Sequence, residues 1–223
     1  MAAIAADWLR RIPATATTET LILDAGCGTG GGLRWLAQFG HPCGVDLHPL
    51  PLRLASEQGA RRLVRADSQA LPFTADRFHI VTSFDVLYHL NITDDRIALR
   101  EFARVLRPGG WLLLRLPAFD WLRSAHDRIV HTRHRYTRRE VRDKLHAAGL
   151  EPVRVTFANT LLFLPAVLWR LLTRHRAASD VVLPPAPINQ ALAALLRAEM
   201  AWLRCFNLPI GLSILALARK GST

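Results

Sequence analysis

The sequence predicts an α/β fold: an open, mostly parallel sheet with helices on both faces. Three observations predict it. Residues 21–116 alternate short apolar runs with helical patterns, which is how strand–helix–strand units read. The first apolar run, Leu21-Ile-Leu23, passes straight into a glycine turn, Gly26-Cys-Gly-Thr-Gly30. The next two runs end in acids, Asp46 and Asp67. With 223 residues, half of them hydrophobic, the chain can bury a large core and reads as one domain over 1–223.

Each element has its own signal. Ile4, Trp8, Leu9 and Ile12 recur at near-helical spacing, which suits a helix that covers a ligand or simply packs. Pro13 ends it. The glycine turn lets backbone approach a ligand, and the following helix, with Leu33, Leu36 and Phe39, points its free N–H groups at the same place. Pro42–Asp46 is a second strand, whose closing carboxylate can accept hydrogen bonds from ribose hydroxyls. A third unit ends at Asp67, and a fourth strand, Phe78–Ser83, leads into Phe84-Asp-Val-Leu-Tyr-His89. Thr93 is placed to cap the next helix, with Asp94 and Asp95 in its first turn. The turn Leu106-Arg-Pro-Gly-Gly110 precedes a fifth strand, Trp111–Leu116. Thr137 and Glu140 form a capping box for a helix ending at Gly149. Glu151–Phe157 is a sixth strand.

The ordered motifs Asp24-Ala-Gly-Cys-Gly-Thr-Gly30, Val45-Asp46, Ala66-Asp67 with Leu71-Pro-Phe73, and Leu106-Arg-Pro-Gly-Gly110 resemble those of class I S-adenosylmethionine-dependent methyltransferases. The small-molecule, quinone-methylase-like branch (methyltransferase type 11) is the nearest in flavour. A nicotinamide dehydrogenase would account for the glycines and Asp46, but not for the Asp67 or Leu106 motifs. The resemblance implies a Rossmann-like, seven-stranded, mostly parallel sheet with an antiparallel last strand, here Gly211–Arg219. About fifty residues then separate strands six and seven. They read as a helical insertion, 158–207, beside the active-site mouth: one helix near Leu161–Leu172, a turn at Pro184–Pro187 and a second helix from Ile188 to Phe206.

The resemblance also implies S-adenosyl-L-methionine as cofactor. Asp24, Gly26, Cys27, Gly28 and Gly30 would lie near its methionine end. Asp46 with Leu47 would hold the ribose, Asp67 with Ser68 would read the adenine, and Phe84 would line the site. On the acceptor side, His89 follows the fourth strand and suits a general base, a substrate orienter or a packing residue. Asp85, His134 and Tyr136 complete the catalytic candidates. His131, His134, Arg135 and Tyr136 could together cap the acceptor pocket and meet a polar or phosphorylated head group. No metal is implied, since neither histidine cluster has ligand spacing and methyl transfer needs none.

The formal charge is +11, and only Lys144 and Lys220 are lysines. This favours anionic partners such as phosphates or acidic lipid surfaces, or marks a generally basic surface. Leu161–Leu172 is apolar almost all round and is followed by Arg174 and Arg176, so 161–176 fits peripheral membrane contact, a lid or a dimer face. The reading is methyl transfer to a small or lipid-linked acceptor. Alternatives are an RNA methyltransferase, against which no aromatic-interleaved basic platform is visible, and a non-catalytic binding protein of the same fold. Cys27, Cys43 and Cys205 lack metal or redox spacing, which fits a reducing cytoplasm. The N-terminus has no secretory pattern.

Overall fold

The computed structural model describes residues 2–12, 19–123, 127, 129–172 and 186–222. Its strands are β1 Leu21–Ala25, β2 His41–Asp46, β3 Leu63–Arg65, β4 Phe78–Phe84, β5 Leu106–Pro117, β6 Leu150–Ala158 and β7 Ser213–Lys220. They form one seven-stranded sheet in the order β3-β2-β1-β4-β5-β7-β6. All pairings among the first five are parallel, and β7 runs antiparallel to both neighbours. The order reverses between β1 and β4, so a crevice opens beyond the carboxyl ends of those two strands.

The helices are α1 Ala2–Arg10, α2 Gly31–Leu36, α3 Pro49–Glu57, α4 Asp95–Val105, α5 Arg138–Ala147, α6 Phe163–Leu172 and α7 Ala186–Leu203. Alternation along the strands divides the core. Leu112, Leu114 and Ala216 pack with Phe102 of α4 and Leu145 of α5 on one face. Leu113, Leu215 and Leu217 pack with Trp8 and Leu9 of α1 and Leu203 of α7 on the other.

Two sequence expectations change. Thr93 does not cap α4: Asp94 does, accepting from the Arg96 N–H at 2.9 Å, while the Thr93 hydroxyl donates to Gln69. The Leu106–Gly110 motif is no turn before β5 but part of it. The β4 ladder jumps from Phe78↔Leu106 to Ile80↔Trp111, so the motif is accommodated as an irregularity, with Gly109 at φ 76°. The capping box of Thr137 and Glu140 on α5 is present as the sequence indicates.

Helices α6 and α7 fall between β6 and β7, and α7 is pinned at its C-terminal end. The buried Glu199 carboxylate accepts from the backbone N–H groups of Asn159 and Leu161. Arg154 of β6 donates to the carbonyls of Leu203 and Phe206, each at 2.8 Å, and lies over the Trp8 ring. Among the described residues no helix is long and apolar enough to cross a membrane. Arg174, Arg176, Pro184 and Pro185 lie outside the described residues.

Candidate functional site

The glycine turn follows β1 at the crevice. Its backbone is tied to β2: Gly26 and Cys27 donate to the Val45 carbonyl at 2.7 and 2.9 Å, and Gly28 donates to Asp46 Oδ2 at 3.0 Å. Gly26 has φ 83°, and a Cβ there would run into Val86 of the loop after β4. Gly28 also has positive φ, yet the space where its Cβ would stand is open. A bare turn facing open space lets a ligand come against the backbone itself.

Asp46 ends β2. Its carboxylate accepts from Gly28 and, at 2.9 Å, from the His48 N–H. Each oxygen keeps a further acceptor position, which suits a pair of vicinal hydroxyls. Asp67 follows β3 and accepts from both the backbone and the side chain of Gln69. Ser68 is buried beside it, Leu47 is exposed, and half-buried Phe84 packs against Trp35. Asp24 is buried inside the turn, where Thr82 donates to it at 2.7 Å. Burial raises its pKa to about 6, against the Thr82 hydrogen bond and with Asp46 adding to the rise. The Cys27 side chain faces inward. Burial, then the charges of Asp24 and Asp46, push its thiol up to about 12.

Gln69 is a residue that sequence reasoning missed. Its Oε1 accepts from the Thr93 hydroxyl and the Asp94 N–H, and its Nε2 donates to Asp67 and to the Asn91 carbonyl. Asn91 Nδ2 in turn donates to His48 Nε2 at 2.9 Å. A chain of contacts therefore joins Asp67, the 89–94 loop and the residues after Asp46. Nothing local in the sequence signals it, because every contact beyond that with Asp67 spans 22 to 43 positions.

Residues 118–123 and 129–137 pair through their backbone with one another and with the loop after β4. Phe119 donates to the Tyr136 carbonyl, Leu90 to that of His131, and Arg133 to that of Tyr88. Several of the expected catalytic residues have partners within the protein. Tyr136 is buried with its hydroxyl on Asp95 at 2.7 Å and on the Leu87 carbonyl, so that hydroxyl is used within the protein. Burial, then Asp95, raises its pKa further. His134 is held between Asp120 and Glu140, one ring nitrogen on each. Arg135 pairs with Asp127 in the interior. Burial opposes the charge on Asp95, but hydrogen bonds from Lys144 and Tyr136, and the charges of Lys144 and Arg133, hold its pKa below the usual range. Asp85 is ion-paired with Arg115.

His89 and His131 do meet, with ring centroids 5.6 Å apart. Burial and the neighbouring His131 and His48 lower the His89 pKa. Its Nδ1 accepts from the Asn91 N–H at 3.2 Å. In the neutral ring the proton then sits on Nε2. In that tautomer Nε2 offers a hydrogen-bond donor. A cavity of about 740 Å³ between α2 and α3, lined by Arg34, His41 and Arg62, reaches the amino end of β2 and is not this crevice.

Residues 23–114 match the family model described as a methyltransferase domain. A malonyl-[acyl-carrier protein] O-methyltransferase of Enterobacter lignolyticus is 32% identical over 166 residues, covering 70% of this chain and 62% of that protein. A human protein named probable tRNA methyltransferase 9B is 36% identical over 102 residues, 45% of this chain and 22% of its own length. The chain thus spans less than two thirds of these relatives. In fold, it is similar to a geranyl diphosphate methyltransferase solved in complex with S-adenosylmethionine, with TM-score 0.66, 19% identity and coverage of 98% and 85% of the two chains.

Proposed function

We propose that this chain, which carries a class I S-adenosylmethionine-dependent methyltransferase domain, transfers the methyl group to a small or lipid-linked acceptor. One observation carries the reading. The bare glycine turn, Asp46 and Asp67 stand at the carboxyl ends of three adjacent strands, β1, β2 and β3. The donor set fits the cofactor: two acceptor-only carboxylates match ribose hydroxyls and an adenine amino group, and the space at Gly28 admits a ligand. When bound, the cofactor supplies an electrophilic methyl on a sulfonium.

The chain's own residues bind, orient and exclude water. Asp46 and Gly28 hold the ribose side, Asp67 and Ser68 the adenine side, and buried Asp24 lies under the turn as a negative group for the cationic methionine end. Cys27 contributes backbone, since its thiol is buried. His89 donates Nε2–H to orient the acceptor, and His131 on the cap closes over it. In-line displacement asks for such positioning more than for a covalent intermediate. The insertion helices α6 and α7, in this reading, flank the mouth, and exposed Leu161, Leu164 and Leu168 face a lipid surface.

The test is calorimetric titration with S-adenosylmethionine and S-adenosylhomocysteine, with NAD as control. Micromolar binding of the first two and none of NAD supports the reading; the reverse pattern overturns it. RNA is the second reading, favoured by the charge of +11 and by the tRNA methyltransferase relative. Salt-sensitive, low-micromolar binding to bulk RNA would replace the first acceptor class with this one.

A further inference from the structure

The sequence assigned oxyanion recognition to the groups of residues 131–136, but in the structure those groups are spent. Arg135 is on Asp127, Tyr136 on Asp95, and His134 between Asp120 and Glu140. Another guanidinium at the crevice edge is only half used. Arg115 lies near the carboxyl end of β5, paired in register with Phe84 of β4 and Leu215 of β7. Its Nη2 donates to Asp85, the residue that follows β4. Its Nε is buried and has no partner among the described residues. Burial also lowers its pKa. Nε and Nη2 form the edge of a guanidinium that takes a carboxylate or phosphate through two parallel hydrogen bonds. On Arg115 that edge holds one bond where it can hold two.

The acid on it is placed to let go. Asp85 has φ 59°, in the left-handed region, which Asp and Asn enter more readily than other side chains but still at a cost. It stands one residue before Val86, which packs on the glycine turn. Arg133 also has a buried Nε without a partner. Its charge, however, faces Asp95 inside the cap, where Lys144 and Tyr136 share the same carboxylate.

We propose that Arg115 is the acceptor-recognition residue, and that the acceptor carries an oxyanion, carboxylate or phosphate, which takes the guanidinium over from Asp85. This rests on the methyl-transfer reading and narrows its acceptor class. Partly desolvated, the guanidinium attracts an oxyanion more strongly than one in bulk water. Asp85 acts as a tethered stand-in that keeps the cation matched until the acceptor arrives.

The experiment follows the Arg115 Nε–H resonance by NMR in protein saturated with S-adenosylhomocysteine, while inorganic phosphate or acetate is added. The expected result is a saturable shift at millimolar anion. Asp85→Asn, which tolerates the same backbone, removes the competitor and tightens that binding by about tenfold or more. Arg133→Gln leaves it unchanged. Phosphate acting without acetate marks a phosphate ester as the acceptor's group, and the converse marks a carboxylate. A resonance that neither anion moves, or an Asp85→Asn variant that binds no more tightly, overturns the proposal. A purely structural ion pair predicts that second result. Loss of S-adenosylhomocysteine binding itself would instead overturn the methyl-transfer reading.

Discussion

Asp24 of β1 and Asp46 of β2 are two carboxylates beside one turn, with different fates. Asp46 faces the crevice and keeps acceptor positions open after its bonds to Gly28 and His48. Asp46→Ala should weaken S-adenosylhomocysteine binding by about a hundredfold, since two charge-assisted hydrogen bonds are lost; unchanged affinity by calorimetry would remove the ribose assignment. Asp24 is buried, and its folded pKa of about 6 lies above its ordinary 3.8. The folded state therefore holds the proton more tightly. Stability from this group is full below about pH 4 and is lost as pH rises through about 6. The loss is on the order of 3 kcal/mol. Asp24→Asn should flatten urea-unfolding stability over that window and match or exceed the natural protein at pH 7. A cationic ligand beside Asp24 would expel the proton, so cofactor affinity should rise with pH through the same range and then level off. The sequence marked both acids by their place in the motif, but it could not tell the buried one from the open one.

At the scale of elements, what was legible in the sequence was periodic or local. The strand–glycine–helix unit at Leu21–Leu36 and the capping box on α5 rest on residues within a few positions of each other, and both are present. What was not legible depends on distant partners. Tyr136 and His134 read as acceptor contacts until Asp95, 41 positions from Tyr136, and Asp120 are placed beside them. Gln69 gave no signal at all. Glu199 is the same kind of residue. In sequence it is one acid on a helix of apolar and small residues; in the structure its carboxylate caps two backbone N–H groups at the start of the α6 segment. Glu199→Ala should leave those donors without their carboxylate, at a cost of about 2 kcal/mol or more. The loss should appear as faster hydrogen exchange over Asn159–Leu172 and Ala186–Leu203, with β1 and β4 unaffected. Uniform destabilisation of the whole sheet would show that α7 is part of the core and not a separately docked element.

For the whole molecule, the question is what the charge of +11 and the exposed apolar side chains of α6 do together. A basic protein is drawn to any anionic surface, and salt weakens that attraction within a Debye length. Apolar insertion is far less sensitive to salt. The two contributions can therefore be separated on the same vesicles. Leu164 and Leu168 are 69% and 59% exposed, so changing both to Asp leaves the core packing alone. If α6 lies in a lipid interface, this variant should lose vesicle binding by about a hundredfold, each apolar contact contributing about 1.5 kcal/mol or more, and should lose it at high salt as well as low. S-adenosylhomocysteine affinity should stay as it was. A variant lacking Thr160–Asn207 should behave in the same way. The ends left behind are already neighbours, because Leu208 donates to the Thr156 hydroxyl at 2.8 Å and accepts from the Phe157 N–H. Vesicle binding that survives both changes and disappears with salt would leave charge as the whole attraction and remove the lipid-facing role of the insertion. The acceptor would then have to reach the crevice from water, and the oxyanion grip at Arg115 would become the main source of selectivity.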